Sequence, residues 1–138
     1  MIRNTDAMKF RLKKNERLHS EKLIKELFDK GSSFFLYPFK VVVLDLPSSQ
    51  DGTVQVLFSV SKKKIKKAVH RNLVKRRIKE AYRLNKNLLL NFPKTNKLIA
   101  LIYVSSEVGE FSPIQSKLVK ILEKINAQFN AQVNEKQT

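Results

Sequence analysis

The chain of 138 residues carries 28 Lys+Arg against 12 Asp+Glu, a formal net charge of +16, with 42% hydrophobic residues that include nine Phe and three Tyr. That length and apolar content suit one domain with a core of its own and exclude a disordered basic tail. With no cysteine and only His19 and His70, disulfide scaffolds, Cys-ligated zinc and thiol catalysis are excluded, and a transition-metal site made by protein alone is disfavoured.

The pattern predicts one domain over 1–138, with a basic N-terminal extension over about 1–16. Arg3, Asp6, Lys9 and Arg11 break up any secretory signal, and the longest apolar run, Leu98 to Val104, is far short of a membrane span. A soluble cytoplasmic protein is expected. Ser20 is the natural N-cap of a first helix that Gly31 ends, with Leu23, Ile24, Leu27 and Phe28 on one face. An aromatic stretch, Ser33 to Phe39, leads into a strand over Lys40 to Leu46; Pro47 to Gly52 reads as a loop and Thr53 to Ser61 as a second strand, the two suggesting a hairpin. After Lys62, Lys63 and Lys64, a long helix is predicted from about Ile65 to Leu89, ended by Asn91-Phe92-Pro93. Lys97 to Val104 is a third strand. Ser112-Pro113-Ile114-Gln115 announces a last helix with Ser112 at the N-cap and a face of Leu118, Ile121, Leu122, Ile125 and Phe129, while the polar tail from Gln132 is expected to fray.

Residues 61–83 hold eleven Lys/Arg and a single acid, so +10 of the +16 falls in one strand end and helix. A charge so local is a docking surface for a polyanion rather than a device for solubility. Drawn as a wheel, the long helix gathers Leu73, Val74, Ile78, Ala81 and Leu84 into a core arc, with His70, read as half-buried, and Arg77 on that side. The opposite arc holds Arg71, Asn72, Lys75, Arg76, Lys79 and Arg83. A solvated charged face is the ordinary alternative, but it normally mixes signs; here Glu80 is the only acid, so neighbouring cations repel by a few tenths of a kcal/mol per pair. Such a face fits nucleic acid, with Arg71 and Arg76 suited to bidentate phosphate contacts and the lysines acting as point charges.

The segment Phe58-Ser59-Val60-Ser61-Lys62-Lys63-Lys64, followed by Ala68-Val69-His70-Arg71-Asn72-Leu73-Val74-Lys75-Arg76-Arg77, resembles the protein subunit of bacterial ribonuclease P. That family carries a helix with an Arg-Asn-Arg-x-Lys-Arg motif, which Arg71, Asn72, Lys75 and Arg76 match. Leu73 departs from it, standing where the second Arg is usual, with Arg77 a candidate to compensate. Arg17-Leu18 through Leu27-Phe28 and Gly31 fits the family's first helix, and the later elements fit to about Phe129.

The resemblance implies an α+β fold, a two-layer sandwich of helices on a small mixed sheet akin to the second domain of ribosomal protein S five, with a left-handed βαβ crossover where the general rule is right-handed. It implies a protein that assists a catalytic RNA in endonucleolytic removal of the 5′ leader from precursor tRNA. Magnesium would then be bound by the RNA in the holoenzyme and not by the protein alone. No catalytic residue is expected in the protein. By the same resemblance the motif helix, with Arg71, Asn72, Lys75, Arg76, Lys79 and Arg83, meets the ribonuclease P RNA. A cleft between the sheet and the first helix receives the leader, lined by Phe28 and by Ile24 where another aromatic is common, with Lys62, Lys63 and Lys64 at its entrance. Basic grooves with stacking platforms hold single strands in this way.

Three other readings stay in view. A ribosomal or other structured-RNA-binding protein would share charge and fold but lack the leader cleft. A self-sufficient nuclease would cleave with magnesium unaided, and it would want converging carboxylates where this chain scatters its acids. A basic membrane-surface protein would bind vesicles without RNA, at the expense of the apolar arc its core needs.

Overall fold

A computed structural model describes residues 16–46, 54–89 and 96–137, with the side chains of 96 and 129–137 left aside. The basic extension up to residue 15, the loop Pro47 to Gly52 and the helix stop at Asn91 to Pro93 therefore lie outside the described residues. The elements are α1 (Glu21–Lys30), β1 (Ser32–Leu36), β2 (Phe39–Leu46), β3 (Val54–Val60), α2 (Ala68–Asn85) continued by a 3₁₀ turn (Lys86–Leu89), β4 (Asn96–Tyr103) and α3 (Phe111–Gln137).

The strands form one mixed sheet in the order β1-β2-β4-β3, antiparallel except where β3 runs parallel to β4. The expected α+β class and mixed sheet hold. The expected hairpin does not: β2 and β3 are not partners, because β4 inserts between them and pairs with both. β4 is the most apolar strand, with Leu98, Ile99, Ala100 and Leu101 all buried, and the centre of a sheet is where a strand can cover both faces. The aromatic stretch supplies a fourth strand, β1, which takes the edge beside β2.

Alternation along the strands divides the core in two. One face carries Val41, Val56, Phe58, Val60, Ile99, Leu101 and Tyr103 against α2 and α3. Tyr103 stacks edge-on to Phe39 at 5.6 Å, and Phe58 to Tyr82 at 5.6 Å. Each such buried side chain contributes about 1.5–3 kcal/mol. The other face carries Val42, Leu98 and Ala100 against Leu27 of α1, with Leu23 and Ile24 packed alongside. Sheet and α2/α3 make the two-layer sandwich, and the short α1 adds a partial cover over the second face.

Local chemistry sets the ends of the helices. The Ser20 side chain accepts from Leu23 N, and Gly31 donates to the Leu27 carbonyl, as expected for α1. A Cβ at Gly31 would collide with that carbonyl and lie 2.8 Å from Val42 Cγ1, so helix and strand meet through the absence of a side chain. α3 starts one residue before the expected Ser112 cap: half-buried Phe111 packs on the core, and Ile114 N bonds the Glu110 carbonyl at 3.3 Å. Pro113 remains in the first turn, where its missing N–H is harmless. The helical backbone of α3 runs from Phe111 to Gln137.

In α2 the buried arc is Val74, Ile78, Ala81 and Tyr82. It is rotated toward Tyr82 relative to the wheel drawn from sequence, so Leu84 is exposed and Leu73 half-buried. His70 is exposed rather than half-buried, since it sits in the first turn beyond the reach of the sheet. Arg77 points away from the basic face: its Nη1 donates to the Gly109 carbonyl at 2.5 Å and its Nη2 lies 3.8 Å from Glu110. It ties α2 to the loop before α3.

Candidate nucleic-acid interface

The first part of the interface is the outward side of α2. Asn72 and Arg76 are exposed, while Arg71, Lys75, Lys79 and Arg83 are half-buried. Arg71 serves the fold as well as the surface. Its Nη1 donates to the Ile65 carbonyl at 2.9 Å and the Lys66 carbonyl at 2.7 Å, closing the turn before a helix whose N-cap, Lys67, offers no side-chain bond. One edge of the guanidinium holds the chain and the rest is left for a phosphate. Arg83 is held by Glu80, Nε to Oε2 at 3.1 Å and Nη2 to Oε1 at 2.5 Å, so the last turn of the face is largely neutralised. The hydrogen bond from Arg83 holds the Glu80 carboxyl below its ordinary range.

Arg17 was not singled out from sequence as part of this surface. Residues 16–18 lie along the free edge of β3, with Arg17 bridged to Val56 and Leu18 N donating to the Val56 carbonyl at 3.0 Å. Half-buried Glu16 reaches Lys86 at 2.9 Å, fastening this segment to the end of α2. Tyr82 lies beneath; burial, aided by the Glu16 charge, pushes its phenol well above the ordinary range. Burial, then the positive charges of Arg17 and Lys75, push the Lys79 ammonium below its ordinary value. Three cations thus crowd one spot, and an anion placed there would relieve the repulsion. Only the long-range edge pairing reveals Arg17, which is why a local pattern could not.

The second part lies on the α1 face of the sheet. Phe28 is 48% exposed and belongs to neither core cluster, so it is available as a surface aromatic. Ile24, a turn before it, is half-buried against the second core cluster. Lys62, Lys63 and Lys64 form an exposed turn directly after β3, held by Ser61 N to the Tyr103 carbonyl and Ile65 N to the Ser61 carbonyl, each 3.0 Å. The lysine turn therefore sits at the end of β3 and leads into α2, with α1 packed on one face of the sheet and α2, which carries the Arg71–Lys79 stripe, on the other.

Among the described residues no three His, Asp or Glu side chains gather as a metal site requires, and no helix is long and apolar enough to cross a membrane. The acids serve elsewhere: Asp45 pairs across the strands with Lys97, whose side chain is 3% exposed. What this arrangement offers chemically is cation and aromatic contact for a polyanion.

The family model for ribonuclease P matches residues 12–126. The ribonuclease P protein component of Porphyromonas gingivalis is 36% identical over 124 residues, covering 88% of this chain and 90% of that relative. Among solved structures, the ribonuclease P protein of Thermotoga maritima has a similar fold, with TM-score 0.63 at 24% identity over 79% of this chain and 96% of that one. That of Staphylococcus aureus gives TM-score 0.62 at 23% identity over 84% of this chain and 99% of that one.

Proposed function

The chain belongs to the ribonuclease P protein family, and on that premise we propose that it is the RNA-binding protein subunit of ribonuclease P, working in the cytoplasm on precursor tRNA. The observation that carries this reading is the side of α2 where exposed Arg76 and half-buried Lys75 and Lys79 lie with Arg17, while the acids described beside them are already paired, Glu80 with Arg83 and Glu16 with Lys86. Arg71, Asn72, Lys75, Arg76 and Lys79 meet phosphates of the large RNA, Arg71 and Arg76 by bidentate contact and the lysines as point charges, while Arg83, paired with Glu80, borders the stripe and contributes only where a phosphate displaces that carboxylate. Half-buried Leu73 leaves one fewer contact than the family motif.

The second surface receives the single-stranded leader. Phe28 stacks on a base, Ile24 gives apolar contact only, and Lys62, Lys63 and Lys64 draw in the backbone. Cleavage of the phosphodiester belongs to the RNA partner and its magnesium; the protein's residues bind, orient and screen charge. The gain is positional: substrate held by its leader is kept at a reactive centre that the protein does not itself supply.

Reconstitution tests this. Purified protein alone leaves precursor tRNA intact, and adding it to a bacterial ribonuclease P RNA at low magnesium restores cleavage at the mature 5′ end. Failure to stimulate any such RNA would refute the assignment, and cleavage by protein alone would favour the nuclease reading.

A further inference from the structure

The α1 face of the sheet continues past α1 as one row across all four strands. Pairing places Phe35 opposite Lys40, Lys40 opposite Ile102, and Ile102 opposite Ser59. Paired residues share a face, and Lys40 is two residues from Val42, which packs under α1. At the usual strand spacing the row spans about 14 Å. Phe35 is 60% exposed, and Tyr37, beyond the strand end, is 59% exposed, with the two rings 6.3 Å apart at 46°. Tyr37 Oη donates to Ser105 Oγ at 3.2 Å, which fixes its ring. Lys40 is exposed, the row contains no acid, and the lysine turn 62–64 follows Ser59 at the far edge.

Two large aromatics bare on an edge strand are an aggregation hazard unless something covers them. Charge decides what. A second copy of this chain would bring its own +16, whereas a single strand of RNA brings phosphates for Lys40 and the lysine turn and bases for the rings. We infer that Phe35, Tyr37 and Lys40 form a stacking platform for single-stranded RNA, extending the leader surface beyond Phe28 and Ile24. Bases stack on Phe35 and Tyr37, Lys40 meets the phosphate between them, and Ile102 and Ser59 floor the path toward Lys62. This rests on the reading that the leader lies on this face, and it adds which part of that face grips bases farther along the strand.

The chain has no tryptophan, so Phe35→Trp in the full-length protein installs a single fluorescent reporter. Titration with a single-stranded oligoribonucleotide of about ten nucleotides should quench its emission saturably, and a duplex of equal length should not. In the reconstituted holoenzyme, Phe35→Ala and, separately, Tyr37→Ala should each weaken binding of leader-bearing precursor about 5- to 50-fold, leave leaderless substrate unchanged, and keep the wild-type circular dichroism. Phe35→Trp should restore the leader effect. Binding of the labelled strand with no change in tryptophan emission overturns the proposal, as does emission that changes with protein concentration alone alongside a dimer in sedimentation. If Phe28→Ala loses leader discrimination while Phe35→Ala and Tyr37→Ala do not, the platform falls and the leader cleft stands. If quenching and its loss in the variants persist but no ribonuclease P RNA is stimulated, the platform stands and the holoenzyme role falls.

Discussion

Replacing Arg71 and Arg76 separately divides the work of α2 between folding and binding. Arg71→Ala removes two hydrogen bonds from a charged donor to the Ile65 and Lys66 carbonyls. Bonds to charged groups are worth about 1.5–3 kcal/mol when buried, but the Lys66 carbonyl is near solvent and can rehydrate, so the net loss should be about 1 kcal/mol. For a domain of this size that lowers Tm by roughly 3–5 °C. Arg76 is exposed and makes no hydrogen bond among the described residues, so Arg76→Ala should leave Tm within about 1 °C. Both should weaken binding to ribonuclease P RNA, each lowering the salt dependence of the logarithm of the association constant by about one phosphate equivalent from a total slope near -4 to -7. Differential scanning calorimetry and filter binding at graded salt read the two effects. Equal Tm loss in both variants, or an unchanged salt slope in either, would refute the division.

Other expectations follow from named contacts. Gly31→Ala should destabilise the fold by about 1–3 kcal/mol in denaturant titration, because the new Cβ meets the Leu27 carbonyl and Val42 Cγ1; a neutral effect would contradict the close approach of α1 and β2. Lys79→Met should raise stability by a few tenths of a kcal/mol, relieving i,i+4 repulsion with Lys75, and weaken RNA binding. Because the folded-state pKa of Lys79 lies below its ordinary value, the wild-type protein gains stability as pH rises through that lowered pKa toward the unfolded one. Bound phosphate raises it again, so calorimetry in buffers of different ionisation heat should detect proton uptake on RNA binding at alkaline pH that Lys79→Met lacks. Phe28→Ala should reduce the preference for leader-bearing over leaderless substrate by about fivefold or more, and equal loss for both substrates would refute its assignment.

Sequence carried the local features and lost the long-range ones. Ser20 and Gly31 mark α1 through side-chain chemistry that acts within a turn, and the charge of residues 61–83 marks the basic face of α2. β1 was obscured because a run of aromatics ending in Pro38 resembles an extended lead-in, when Pro38 lies in the turn that folds β1 back along β2. No local signal says that β4, more than thirty residues after β3 in the chain, will part β2 from β3. The wheel of α2 missed Tyr82 because an amphipathic tyrosine can face either way until Phe58 supplies its ring contact. Arg77 looked like a spare cation until Gly109 and Glu110 came within reach, and Arg17 joined the interface only through the Val56 edge.

The central claim is that this protein supplies binding while its RNA partner supplies the chemistry. Single-turnover cleavage of leader-bearing precursor tRNA, with Lys75→Ala/Arg76→Ala protein raised to saturation over the RNA, tests it directly. The account predicts that the concentration needed rises while the saturated rate constant stays within about twofold of wild type. A saturated rate that falls tenfold or more, with the RNA fully bound, would contradict it.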